Sequence, residues 1–130
     1  MTSFVDKEKM NLAERTQKIH HELYGKVRME GQLEKWPVNK LFRPGKERRW
    51  KTRYFVVADN LAYYETEEDY KSNKKPKGVI CLDFAALALH STDKCKVTLR
   101  TAKEMLVLRT ASEDEAQTWL KALKRAQLRE

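Results

Sequence analysis

The chain has 130 residues, 35% of them charged and 41% hydrophobic, with a mean hydropathy of −0.78. That fits one heavily solvated domain and leaves no room beside it for a separate catalytic domain. No apolar run approaches the roughly 18 residues of a membrane-spanning helix. The opening Met1-Thr2-Ser3-Phe4-Val5-Asp6 lacks a signal-peptide core, and Thr2 excludes N-myristoylation, so the expected compartment is the cytoplasm.

The formal net charge of +8 is uneven along the sequence. Residues 1–24 and 112–130 are each balanced, whereas residues 25–56 carry ten basic and three acidic side chains, net +7. A field confined to one stretch implies a polyanionic partner: an anionic lipid surface, an acidic protein or nucleic acid.

In chain order, residues 6–24 contain no Gly or Pro. Leu12, Thr16, Ile19 and Leu23 mark a narrow helical stripe, which predicts an N-terminal helix packed on the domain or on a neighbour. Its polar face is not enriched in Lys or Arg, which argues against a helix lying on a membrane. Residues 27–36 then alternate with period two, as a half-buried strand should. Pro37, Asn39, Pro44 and Gly45 break the pattern, and Trp50–Val57 resumes it, so the two strands form a hairpin with a long basic tip.

Asp59-Asn60 reads as a turn into a short strand, Leu61–Glu65. The polar stretch 66–77 reads as a loop closed by Pro76 and Gly78. Val79–Leu82, Leu87–His90 and Lys96–Arg100 are further short strands, and Met105–Arg109 pairs with the last across the turn at Ala102-Lys103. Ser112 and Glu115 then form a capping box with acid in the first helical turn. Ala116, Trp119, Leu120 and Leu123 give the following helix one apolar face.

Seven short antiparallel strands and one amphipathic helix define a mainly β fold. The expected architecture is a β-sandwich or barrel of two nearly orthogonal sheets, capped at one end by the C-terminal helix with Trp119 as its plug, plus the N-terminal helix. Residues 1–25 form the helical extension and residues 26–130 the domain.

Chemistry other than binding is poorly represented. Cys81 and Cys95 have no CxxC spacing or neighbouring His pair, which argues against zinc and favours reduced, buried core thiols over the alternative of a disulfide between them. His20, His21 and His90 have no visible partner, and no Ser or Cys stands in a nucleophile motif, so no enzyme is expected. No cofactor or metal is called for. The Trp and Tyr residues read as core strand positions rather than as a stacking platform, which argues against nucleic acid.

Glu30-Gly31-Gln32-Leu33-Glu34-Lys35-Trp36, then Arg49-Trp50-Lys51-Thr52-Arg53-Tyr54-Phe55-Val56-Val57, Leu61-Ala62-Tyr63-Tyr64, Lys77-Gly78-Val79-Ile80 and Trp119-Leu120 together resemble a pleckstrin homology domain, over about residues 29–126. The resemblance implies a basic lipid pocket at the open end of the sandwich, flanked by the loops between strands 1 and 2, 3 and 4, and 6 and 7. It assigns headgroup contacts to Lys35, to Lys51 and Arg53 of a Lys-x-Arg pattern, and to Tyr64. Its implied role is recruitment of a parent protein to a membrane by a phosphoinositide or other anionic lipid, as a peripherally associated cytoplasmic protein. The alternative is a protein-interaction module with weak lipid binding and a protein partner.

The residues support phosphate binding independently of the family. Lys51 and Arg53 are two apart and share a strand face, and Lys35 reaches the same end from the paired strand. An inositol polyphosphate needs such convergent cationic donors, with Arg able to fork onto one phosphate. Lys40, Arg43, Lys46, Arg48 and Arg49 add attraction to an anionic leaflet, and Leu41 and Phe42 are placed to dip into the headgroup region. Fifteen residues separate Lys35 from Lys51, a longer spacing than is usual in family members that grip 3-phosphorylated inositides, which leaves the choice of headgroup open.

Overall fold

The computed structural model describes residues 25–37 and 49–130, together with Glu14. Seven strands form one antiparallel sheet: β1 (Met29–Pro37), β2 (Lys51–Val57), β3 (Leu61–Tyr64), β4 (Gly78–Ile80), β5 (Ala86–Leu89), β6 (Lys96–Arg100) and β7 (Met105–Arg109). The strand order is β4-β3-β2-β1-β7-β6-β5. The long strand β1 joins the two halves, because Met29 to Lys35 pair with β2 while Glu34 to Pro37 pair with β7. The β1–β2, β3–β4 and β6–β7 connections therefore emerge at one end. Apart from Glu14, which is helical and exposed, the expected N-terminal helix lies outside the described residues.

Period-two alternation explains which side chains form the core. Leu33 on β1, Phe55 and Val57 on β2, Leu61 on β3, Val97 and Leu99 on β6, and Leu106 and Leu108 on β7 face one interior. The helix α2 (Glu113–Gln127) closes it with Ala116, Trp119, Leu123 and Ala126. Its N-cap works as the sequence predicts at one bond: Ser112 Oγ accepts from the Glu115 amide at 3.2 Å. The Glu115 carboxylate returns to the amide of Ala111 rather than to that of Ser112, so the reciprocal bond is displaced by one residue. Gly31 lies beneath the indole of Trp119, where a Cβ would sit 3.1 Å from Cζ2.

Three expectations need correction. The stretch 66–77 contains a short helix, α1 (Glu67–Lys71), capped by Thr66 Oγ1 accepting from the Asp69 amide at 3.0 Å, with three acids in its first turn. Tyr70 of α1 covers a second apolar cluster of Tyr54, Val56, Ala62 and Tyr64 on the outer face of β2 and β3. Secondly, the cysteines are free but not core residues, Cys81 being exposed and Cys95 partly exposed. Cys81 lies between buried Ile80 and Leu82, so alternation turns it outward. Thirdly, β4 ends at Ile80 and β3 at Tyr64, one or two residues short of the predicted ends.

Candidate functional site

The register of β1 against β2 sets three cations on one face. Lys35 lies opposite Lys51, and Leu33 opposite Arg53, so all three side chains leave the face that also carries Leu33 and Phe55, beyond the apolar interior and toward the open end. Lys35 is only 7% exposed. Its ammonium stands 4.2 Å from the ring centroid of Tyr63, a cation–π contact worth about 0.5–2 kcal/mol.

Arg53 is half-buried and donates from Nη1 to the Thr52 carbonyl at 2.7 Å. Its Nε is buried without a hydrogen-bond partner among the described residues. A buried donor left in that condition costs about 1–3 kcal/mol. Lys51 is exposed at the start of β2.

Tyr63, which the sequence did not single out, lies beside these cations. It pairs with Phe55, on the face of the cations, and its ring lies 5.5 Å from that of Phe55. Gly78 opposite makes room for it, since a Cβ there would fall 2.6 Å from the Tyr63 ring. Tyr64, expected as the headgroup contact, points to the other face. It is 3% exposed, its ring centroid 5.1 Å from that of Tyr70 in a tilted contact under α1. Tyr54 beside it donates to Glu30 at 3.0 Å, and burial raises the Tyr54 hydroxyl pKa well above its ordinary value.

Three of the four acids that follow β3 are paired with lysines of the same connection. Glu67 pairs with Lys71 at 2.8 Å, Asp69 with Lys74 at 3.3 Å, and Glu65 with Lys77 at 4.0 Å, while α1 itself lies on the outer face through Tyr70. Of the basic-loop residues, Arg49 is described and exposed. Lys40, Arg43, Lys46 and Arg48 lie outside the described residues, as do Leu41 and Phe42.

A second arrangement occupies the reverse face of β1. Trp36 and Trp50, read from sequence as core positions, are half-buried with ring centroids 5.6 Å apart. With His90, Lys96 and Val107 they line a cavity of about 220 Å³. Arg109 lies 4.0 Å over the Trp50 ring and Lys96 5.3 Å from it. Arg109 is held there by a forked bond to Glu34, at 3.1 Å from Nε and 2.8 Å from Nη2, and that bond keeps the Glu34 carboxyl below its ordinary pKa. His90, without a visible partner in the sequence, accepts at Nδ1 from the amides of Thr92 and Asp93, both at 3.2 Å.

Among the described residues no group of three or more His, Cys, Asp or Glu is placed to hold a metal ion, and no helix is long and apolar enough to cross a membrane.

Comparison with known proteins agrees with this architecture. The chain is 29% identical over 75 residues to the ceramide transfer protein of Homo sapiens, an alignment covering 57% of this chain and 12% of that protein. Among solved structures, the PH domain of human pleckstrin homology domain-containing protein family A member 5 superposes with a TM-score of 0.60 and 25% identity, covering 78% of this chain and 77% of that one. The C-terminal PH domain of pleckstrin in complex with D-myo-Ins(1,2,3,5,6)P5 gives a TM-score of 0.61 at 23% identity, covering 78% of this chain and 95% of the other. The seven-stranded sheet closed by a helix carrying Trp119 is thus a shared fold, and with residues 27–128 matching the family model of the PH domain, the chain belongs to the PH domain family.

Proposed function

We propose that this PH domain binds the headgroup of a phosphoinositide and thereby holds its parent protein on a membrane surface, as a peripherally associated cytoplasmic protein. PH domains are non-catalytic modules, so the function lies in what the site grips. The observation that carries the reading is the convergence of Lys35, Lys51 and Arg53 from two paired strands onto one face. Clustered phosphates reward donors from more than one direction, and a partly desolvated site strengthens each bond.

In this reading Arg53 forks onto one phosphate, and its buried Nε gains a charge-assisted bond. Lys35, pre-oriented over Tyr63, and Lys51 neutralise neighbouring phosphates. Tyr63 takes the position expected of Tyr64. The related pleckstrin domain crystallised with inositol pentakisphosphates supports the ligand class. The cations of the 38–48 segment, with Arg49, add nonspecific attraction of about 1 kcal/mol each at an anionic surface.

Sedimentation with vesicles of constant net charge, with and without phosphoinositide, tests this. Preferential binding to the phosphoinositide vesicles is expected. Equal binding to phosphatidylserine vesicles would reduce the role to general electrostatics, and binding to neither would favour a protein partner.

A further inference from the structure

We propose that the corner between β4 and β5 is a self-association surface, on which a second copy of this chain docks about a twofold axis. Residues 79–89 hold one charged side chain, Asp83, in a sequence of which 35% is charged. Besides Asp83, the exposed positions of the stretch are Val79, Cys81, Phe84, Ala86 and Ala88, none of them charged. β4 and β5 are the two outer strands of the sheet. Proteins commonly place Lys or Pro on such strands to block edge-to-edge pairing, and neither strand carries one.

The turn between the two strands holds an aromatic ring out to solvent. Phe84 is fully exposed with a backbone φ of 62°, the left-handed region that a bulky side chain enters only under strain. Hydrogen bonds on several sides fix the turn in that state. The Ala85 amide donates to the Leu82 carbonyl at 3.1 Å, and the Leu82 amide to Asn60 Oδ1 at 3.2 Å. Gln127 Nε2 donates to the carbonyls of Leu82 and Ala85, both at 2.7 Å, which brings the end of α2 and the exposed Leu128 beside the turn. A ring fixed in this way loses little freedom on association, as an interface anchor requires.

Charge selects a second copy as the occupant. Asp83 and Arg129, each half-exposed, pair at 3.0 Å on the rim of this surface. About a twofold axis such a pair can exchange across the interface, Asp83 meeting the partner's Arg129 and Arg129 the partner's Asp83. The remaining patch is uncharged, so it meets its own copy without like-charge repulsion. The basic β1–β2 connection leaves the opposite end of the sheet, which keeps the two positive fields apart. Phe84 offers about 150–250 Å² of the roughly 800 Å² per partner in a standard interface, and its neighbours are smaller. That fits a weak dimer, with a dissociation constant on the order of 100 µM. Lys35, Lys51 and Arg53 lie outside the surface, so both strand pockets stay uncovered.

Sedimentation velocity on the 130-residue chain without lipid, from about 10 to 500 µM, tests this apart from headgroup binding. The wild type should move from a mass of 15.4 kDa toward twice that value as concentration rises, and Arg53→Ala should do the same. Phe84→Gly suits the left-handed backbone and so keeps the fold; it should stay monomeric over the range and bind soluble inositol tetrakisphosphate as the wild type does. Asp83→Arg and Arg129→Asp each set like charges against one another across the axis, so each alone should weaken dimerisation at least tenfold. An equimolar mixture of these two variants should restore it, because both reciprocal contacts then join opposite charges. Circular dichroism checks that each variant is folded. A wild type that is monomeric at every concentration would overturn the proposal, as would a mixture that stays monomeric or a Phe84→Gly protein that dimerises as the wild type does. Dimerisation without inositol phosphate binding would refute the proposed function and leave this surface standing.

Discussion

Gly31 and Trp119 form a contact whose energetics can be worked out from its geometry. A Cβ on Gly31 would stand 3.1 Å from Trp119 Cζ2 and 3.9 Å from Cη2, so a methyl group forces the indole to move by a few tenths of an ångström. That ring is 3% exposed and packed among the core residues, where overpacking costs about 1–3 kcal/mol. Replacing a strand glycine recovers about 0.5–1 kcal/mol of backbone entropy. Gly31→Ala should therefore destabilise the domain by about 1 kcal/mol, or about 4–8 °C in melting temperature. In a Trp119→Leu background, itself less stable by about 2–4 kcal/mol, the obstructing ring is gone and the methyl enters freed space. There Gly31→Ala should be neutral or slightly stabilising, giving a coupling of about 1–2 kcal/mol. Urea unfolding followed by circular dichroism on the four proteins measures this cycle. Equal costs for Gly31→Ala in both backgrounds, within about 0.3 kcal/mol, would refute the claim that α2 closes the sheet through this contact.

The two neighbouring tyrosines should separate binding from stability. Tyr63→Leu should weaken inositol phosphate binding about three- to tenfold through loss of the Lys35 contact, whereas Tyr64→Ala should cost about 3 kcal/mol of stability and leave the affinity of the folded fraction unchanged; calorimetry and denaturant titration on both variants decide it. Ser112→Ala should lower stability by about 0.5–2 kcal/mol through loss of the α2 cap, read in the same denaturant assay. The Arg109 fork depresses the Glu34 carboxyl pKa below 4.5, so its contribution is fully present above pH 4.5 and is lost as pH falls through the folded value. Tryptophan emission should accordingly change in that acid window as the clamp on Trp50 loosens, and Glu34→Gln should abolish the transition.

Local patterns in the sequence carried most of the fold. Alternation marks the strands, and it sets Lys51 and Arg53 on a common face because the period is two residues whatever the pairing. Ser112 and Glu115 announce α2 for a similarly local reason. Features that depend on register were harder to see. The role of Tyr63 against Tyr64 follows from which of them faces Phe55, and a one-residue slip exchanges the two. Trp36 and Trp50 look like core residues because they are large and aromatic, yet Trp36 alternates with buried Lys35, and its partners Val107 and Lys96 come from strands some 60–70 positions later in the chain. The helix α1 is only five residues long, too short for an apolar stripe, although Thr66-x-x-Asp69 carried its capping signature.

The central claim is that the cations of β1 and β2 grip a headgroup in a defined geometry. Titration calorimetry with soluble inositol tetrakisphosphate isomers, on the wild type, on Arg53→Ala and on a variant neutralised at Lys40, Arg43 and Lys46, tests it most directly. The account predicts that Arg53→Ala loses at least tenfold in affinity, together with any preference among isomers. The loop variant should keep both for the soluble ligand while binding charged vesicles less well. Wild-type affinity and selectivity in Arg53→Ala, with both lost in the loop variant, would place the headgroup outside the strand pocket and contradict the account.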